Sequence, residues 1–428
     1  MHILMMTNTY LPHVGGVARS VATFSSAFRR AGHRVLVVAP TFPGMPPGER
    51  DVLRVPAIRN FNGSDFSVRI PVPGLGGRLD RFRPDIVHTH HPFLLGGAAL
   101  RYATSRGLPL IFTHHTMYEQ YTHYLPAECA ATTPYLIALA TEYANRCEGV
   151  VAPSESVAAV LRERGVKAPV TVIPTGIDRA QLAAGDGGRL RRRAGIPADA
   201  FVVGHVGRLA PEKNIGFLAE AAAAFLLGNE RARLLVVGSG PAAEEVRAAL
   251  ARCRVAGRLH FTGTLLGRGL ANAYQAMDVF AFSSKSETQG MVLAEAMAAG
   301  VPVVALDAPG AREVVRDGEN GRLLPAERVE PFRAALAWVA ARPGRERAIL
   351  QEAARGTAAH FDQELCARKA LRFYVQAMSA SRRNGASFEH GPLAQARRRL
   401  ETEWDLWSSR AEAAIQAWRQ GSRNKDEA

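Results

Sequence analysis

Thr175–Arg208 reads TGIDRAQLAAGDGGRLRRRAGIPADAFVVGHVGR. Up to Ala200 it is a run of turn formers and clustered arginines with no strand signal. At Phe201 an apolar run begins abruptly. Before this stretch, short runs rich in Val and Ile alternate with longer Ala-, Leu- and Arg-rich segments of helical period. After it the same alternation starts afresh. Strands are expected at 3–8, 35–40, 86–90, 110–114, 149–153 and 170–174, then at 202–206, 234–238, 259–262, 279–283 and 302–306. Strands separated by helices form parallel sheets covered on both faces. The fold class is therefore α/β: two doubly wound Rossmann-like domains facing a central cleft, 1–175 and 176–360. A closing helix over 361–380 and a helical extension over 385–428 follow. In such sheets ligands bind at the carboxyl ends of the strands.

The rest of the chain fits an ordinary globular protein. It has 428 residues, 47% apolar and 21% charged, which excludes global disorder. Its longest apolar stretches, such as Ala296–Leu306, reach about half of the ~20 residues a membrane helix needs, and that one is broken by Gly300 and Pro302. The opening MHILMMTNTY lacks the basic start and long apolar run of a signal peptide, so the expected location is the cytoplasm. Cys129, Cys147, Cys253 and Cys366 form no CxxC pair, so neither a zinc site nor a disulfide framework is implied. Basic residues outnumber acidic ones by 53 to 39, a net charge of +14 spread along the chain. Arginine-rich usage fits genome base composition as well as attraction to anionic partners, such as a nucleotide diphosphate or an anionic membrane surface. No basic cluster is interleaved with stacking aromatics, which argues against nucleic acid.

Five features carry chemistry. Gly15 and Gly16 end the turn TNTYLPHVGG after the first strand and open a helix, where free N–H groups can meet an anion. Gly238-Ser239-Gly240-Pro241 follows a strand of the second domain and with Ala243 imitates a dinucleotide fingerprint. The next strand ends in Gly263 and Thr264 rather than the acidic residue a nicotinamide enzyme uses on the ribose, which argues against NAD. In GRLAPEKN, Arg208 and Lys213 place two cations just beyond a strand end, a match for a diphosphate, unless Glu212 simply pairs with them at a helix start. Glu287-Thr288-Gln289-Gly290-Met291 leads into a helix that carries Glu295. Eight residues span at most about 12 Å along a helix, so the carboxylates could hold the two ends of a nucleotide sugar or serve as a hydrolytic acid and base. Last, THHTMYEQYTHY gathers His114, His115, Tyr118, Glu119, Tyr121, His123 and Tyr124. The spacing matches no metal-ligand motif, and polar aromatics there suit a carbohydrate-facing wall.

The tail repeats apolar residues in steps of three and four from Leu393 to Trp418, placing Trp404, Trp407 and Trp418 on one face. Such a helix packs on the body or on another chain, or lies in a membrane interface.

Taken together, these motifs resemble family 4 of the retaining glycosyltransferases (GT4), which have the GT-B fold. The likeness covers about residues 1–380. THHTMYEQYTHYLP and KSETQGMVLAEAMAAG are most similar to bacterial diacylglycerol glucosyltransferases. The resemblance implies transfer of a hexose, expected from UDP-glucose, to a lipid hydroxyl, with a lipid acceptor, an anionic membrane surface on the inner face of the cell membrane and no metal cofactor. It implies that Gly16 offers its amide to the distal phosphate and that Gly15 and Gly238 also bind the donor. His115 contacts the donor sugar, and Arg208 and Lys213 stabilise the leaving diphosphate. Glu287 holds sugar hydroxyls, Gly290 and Met291 offer amides, and Glu295 binds the ribose. Tyr118, Glu119 and Tyr121 are acceptor-side candidates. Two alternatives stand: transfer to a polyprenyl-linked or soluble glycan, and a two-lobed sugar-binding protein without catalysis.

Overall fold

The computed structural model describes residues 1–58, 68–69, 74–117, 132–285, 287–384 and 403. The chain divides into two compact units, Met1–Gly176 with Cys366–Ala428, and Ile177–Leu365. Both are Rossmann-like, with parallel sheets.

The first unit is built on a seven-stranded sheet in the order β3-β2-β1-β6-β7-β8-β9. Its strands are β1 (His2–Met6), β2 (Arg34–Pro40), β3 (Val52–Val55), β6 (Ile86–Thr89), β7 (Leu110–Thr113), β8 (Gly149–Ala152) and β9 (Val170–Val172). A short antiparallel pair, β4 (Ala57–Ile58) and β5 (Val68–Arg69), stands apart. Alternate side chains of each strand enter different cores. Ile3 and Met5 join Val35, Val37 and Phe28 on one face, while Leu4 and Met6 join Val38, Val87 and Leu100 on the other. This two-sided burial is why the strands read as continuous apolar runs rather than alternating ones.

The second unit has a six-stranded sheet in the order β12-β11-β10-β13-β14-β15. The strands are β10 (Phe201–Val206), β11 (Ala232–Val237), β12 (Leu259–Gly263), β13 (Val279–Phe282), β14 (Val303–Leu306) and β15 (Gly321–Leu324). Here Val202 and Leu235 face one core, and Val203 and Leu234 face the other. The stretch without strand signal forms two short helices, Arg179–Ala183 and Gly187–Ala194. Asp178 and Asp186 cap them, accepting from Gln181 N at 2.9 Å and Arg189 N at 2.8 Å.

All eleven expected strands are present, with ends shifted by at most two residues. The edge strands β3 and β15 went unread, as did the β4–β5 pair. The last described helix runs Gln363–Asn384, past the expected end at residue 380, and carries Arg382 and Arg383 in a final turn whose carbonyls favour cations. Its Cys366, Ala367, Ala370, Phe373, Tyr374 and Ala377 recur at helical spacing and enter the same core as Ile3, Met5 and Phe28. The C-terminal helix thus completes the first unit's sheet face. Of the extension, only Glu403 is described, ion-paired with Arg101; Trp404, Trp407 and Trp418 lie outside the described residues. Among the described residues no helix is long and apolar enough to cross a membrane.

The Phe373 ring lies where a side chain on Gly149 of β8 would stand, so the helix and strand meet with nothing between them. Phe373→Ala is expected to cost about 3–5 kcal/mol of stability. Urea unfolding followed by circular dichroism measures it, and a loss below about 1 kcal/mol would show that the helix does not close this core.

Candidate functional site

Each sheet has one place where successive connections leave in opposite directions. In the first unit it lies between β1 and β6, in the second between β10 and β13. The expected site residues that the structure describes gather at or beside these two switch points, where open α/β sheets bind ligands.

In the second unit the backbone after β10 and the backbone after β11 run side by side. Gly207 N donates to Val237 O at 3.0 Å, Leu209 N to Ser239 O at 3.0 Å and Ala242 N to Leu209 O at 2.9 Å. Gly238 and Gly240 have φ of 137° and 152°, and a Cβ on either would run into the carbonyl oxygen of Gly207 or Leu209. This close approach already requires both glycines. Arg208 leaves this ladder half-exposed and pairs with Glu212, the local pairing weighed above. Lys213 ends a short 3-10 turn, Pro211–Lys213. Ser283, just past β13, donates its hydroxyl to the carbonyls of Lys213 at 3.0 Å and Asn214 at 2.9 Å. Lys213 Nζ then donates to Glu287 Oε1 at 2.6 Å across the switch point.

Glu287 is backed by a second glycine contact. A Cβ on Gly310 would stand 2.7 Å from Glu287 Cβ, and one on Gly290 2.5 Å from Gly310 O. Gly290 has φ of 68° and caps the helix Met291–Ala298. Glu295 sits inside that helix with 0% exposure, its carboxylate accepting from the Tyr274 hydroxyl at 2.7 Å. Glu295 is the residue expected to bind the ribose, and one of its carboxylate oxygens holds this Tyr274 bond. His205 on β10 lies beside Gly207, donates from Nδ1 to Ala281 O at 3.1 Å, and keeps a buried Nε2 without a hydrogen-bond partner among the described residues. Burial pushes its pKa down to about 4.

In the first unit Gly15 caps the helix Gly16–Arg30 in an extended conformation without a side-chain cap. A Cβ on Gly16 would meet nothing within 4 Å among the described residues, so none of them requires glycine there, whereas His13 crowds Gly15. Asn8 ties the loop after β1 to the one after β6. It donates to Phe93 O at 3.1 Å and accepts from Leu95 N at 3.1 Å. Its own backbone N–H donates to His91 Nδ1 at 3.1 Å. Five histidines converge here from the ends of β6 and β7. His88 lies between the Tyr374 hydroxyl and Thr113 Oγ1, and His90 Nδ1 lies 2.9 Å from His115 Nε2. Burial pushes His88 and His114 down to about 3 and His91 to about 4. Burial and the neighbouring imidazoles also hold His90 and His115 well below the usual range. Among the described residues no three His, Cys, Asp or Glu side chains are disposed to hold a metal ion. Tyr118, Glu119 and Tyr121, with His123 and Tyr124, lie outside the described residues.

His90, His91, Asn8, Ser283 and Gly310 were not singled out from the sequence. The run HTHH at the end of an expected strand could have drawn attention to the first two. Ser283 and Gly310 carry no local signal.

Residues 14–181 match the family model described as Glycosyltransferase Family 4, and residues 200–342 that described as Glycosyl transferases group 1. An alpha-monoglucosyldiacylglycerol synthase of Streptococcus pneumoniae is 30% identical over 336 residues, covering 76% of each chain. A GDP-mannose-dependent alpha-mannosyltransferase of Corynebacterium glutamicum is 29% identical over 428 residues, covering 96% of each. Among solved structures, the Anabaena protein HepE in complex with UDP superposes with a TM-score of 0.68 at 22% identity, over 88% of this chain and 100% of that one. That likeness is one of fold.

The buried histidines set a pH dependence. Their folded pKa values lie below the unfolded value of ~6.5, so the unfolded chain takes up protons first as pH falls. Stability is fully present above about pH 6.5 and is lost progressively below it. At pH 5.5 each of His88, His91 and His114 is expected to withdraw about 1 kcal/mol. Urea unfolding at pH 7.5 and 5.5 measures the loss, and His88→Gln should reduce it. Equal stability at the two pH values would contradict the burial of neutral imidazoles.

Proposed function

From the premise that this chain belongs to glycosyltransferase family 4 and is a hexosyltransferase, we propose that it moves glucose from UDP-glucose to the hydroxyl of a lipid, diacylglycerol, with retention at the anomeric carbon. The observation that carries the reading is Lys213 held against Glu287 at the switch point, with Arg208 just past the end of β10 in the same unit. In the transition state negative charge grows on the departing diphosphate, and a charge already in place there stabilises it without reorganisation. Arg208 is half-exposed and its partner Glu212 largely buried, so Arg208 would meet a diphosphate by exchanging this ion pair for one with the phosphates. In this reading the two cations take the leaving-group charge and no metal is required. Glu287 accepts from sugar hydroxyls, His115 faces the sugar, and the amides of Gly15, Gly16, Gly290 and Met291 meet phosphate and sugar oxygens. Glu295 would exchange Tyr274 for the ribose.

The lipid acceptor is supported by the name of the pneumococcal relative. Such an acceptor places the enzyme at the inner membrane face, held there by basic surface and the tryptophan-bearing tail. A second reading, GDP-mannose as donor, is favoured by the Corynebacterium relative, whose similarity runs over 96% of both chains and so takes in the tail.

The test offers labelled UDP-glucose and labelled GDP-mannose separately, with anionic vesicles containing diacylglycerol and with EDTA present. Glucosyl-diacylglycerol from UDP-glucose alone is the expected product, with salt-sensitive sedimentation of the enzyme on the vesicles. Transfer from GDP-mannose alone installs the second reading. A product only on soluble or polyprenyl-linked glycans removes the lipid, and loss of activity in EDTA restored by Mg²⁺ removes the metal-free leaving group. No transfer to any acceptor would leave a sugar-binding protein.

Lys213→Ala is expected to lower kcat by about 10²–10³ while donor affinity changes far less. Turnover within a factor of a few of the parent would overturn the leaving-group assignment.

A further inference from the structure

We propose that His90 is a positioning residue that fixes the tautomer of His115, so that His115 presents an Nδ1–H donor to the donor sugar. The sugar contact rests on the reading above; the tautomer assignment rests on hydrogen-bond geometry and burial.

His90 is 1% exposed, and its backbone N–H is spent on Met6 O at 3.0 Å. Its ring lies 22° from the plane of the His115 ring, with Nδ1 2.9 Å from His115 Nε2. Near-coplanar rings at this distance place one N–H on the line between two nitrogens. Either ring could supply that proton. The choice is made at the other end of His90, where Nε2 is buried and has no hydrogen-bond partner among the described residues.

If His115 donated, the proton of a neutral His90 would sit on Nε2, a buried N–H with no acceptor. Orphaned buried N–H groups are rare, and desolvating one costs about 1–3 kcal/mol. If His90 donates from Nδ1, its Nε2 is a bare lone pair. The protein tolerates that arrangement elsewhere: the carbonyl of Ala281 can only accept, so His205 must donate from Nδ1 and leave a buried, bare Nε2. His90 therefore donates, His115 accepts at Nε2, and the proton of neutral His115 resides on Nδ1.

Both rings are neutral at ordinary pH, because burial and the surrounding imidazoles of His88, His91 and His114 oppose a charge. Tautomer, not protonation, is then what the pair controls. His115 is less buried than His90, and its Nδ1 forms no hydrogen bond among the described residues. A neutral imidazole with Nδ1–H outward donates to a hydroxyl oxygen; the other tautomer could only accept there.

The test reads the tautomer directly, by long-range ¹H–¹⁵N correlation of the full chain labelled at histidine, with His115 assigned from the His115→Gln spectrum. The expected result is protonated Nδ1 and bare Nε2 on His115, with or without catalysis. Protonated Nε2 overturns the proposal. His90→Asn keeps an N–H donor near the position of Nδ1, whereas His90→Ala removes it. His90→Ala should lose the single tautomer and about 10–100-fold in kcat, with KM for the donor little changed. His90→Asn should keep the tautomer and recover most of the rate. If both variants fold and lose activity equally while the His115 tautomer stays as in the parent, His90 is merely structural and the proposal fails. If the parent transfers no hexose, the proposed function fails while the parent spectrum still decides the tautomer.

Discussion

The constraint on which the site depends is the reversal of strand order in each sheet. From β1 the chain winds outward through β2 and β3, then returns to place β6 on the other side of β1. From β10 it winds through β11 and β12, then returns to place β13 beside β10. At the carboxyl end of such a pair the two connections diverge and leave a crevice between them where ligands bind. The Gly15-Gly16 turn and the histidines occupy this position in one unit, and Lys213 and Glu287 in the other.

Around each switch point the backbone is packed to leave little freedom. Ser283 binds the carbonyls of Lys213 and Asn214, so the lysine is fixed to β13 before its side chain reaches Glu287. Gly310 fills the space behind Glu287 with backbone alone. Charged groups held in this way need not reorganise when a ligand charge develops, which is the condition for electrostatic stabilisation.

In the first unit the fixed element is a network of neutral rings. Tyr374, from the C-terminal helix, reaches His88, and His88 reaches Thr113 at the end of β7. The helix that completes the core therefore also fixes one end of the histidine cluster. Asn8 fixes the other, binding the loops after β1 and β6 to each other. Buried polar groups that satisfy one another in this way stiffen a site, because each broken bond strands its partner.

The sequence by itself determined the class of fold and the strands buried on both faces, because Val- and Ile-rich runs between helical segments have one stable arrangement in water. It placed Arg208, Lys213 and the glycine turns at strand ends and Glu287 ahead of a helix, since a motif and the element next to it are neighbours along the chain. It missed β3 and β15, four-residue edge strands whose apolar runs are each interrupted by an arginine, Arg54 or Arg322, and it drew the last helix too short. The pairing of Lys213 with Glu287, 74 residues apart, was decided only by the tertiary structure. So were the bond between Glu295 and Tyr274 and the contact of His90 with His115. Each joins segments that only the sheet order brings together. Glu295 shows the difference most plainly: its spacing from Glu287 is written in the chain, but whether its carboxylate faces solvent or a tyrosine depends on what packs against that turn of helix.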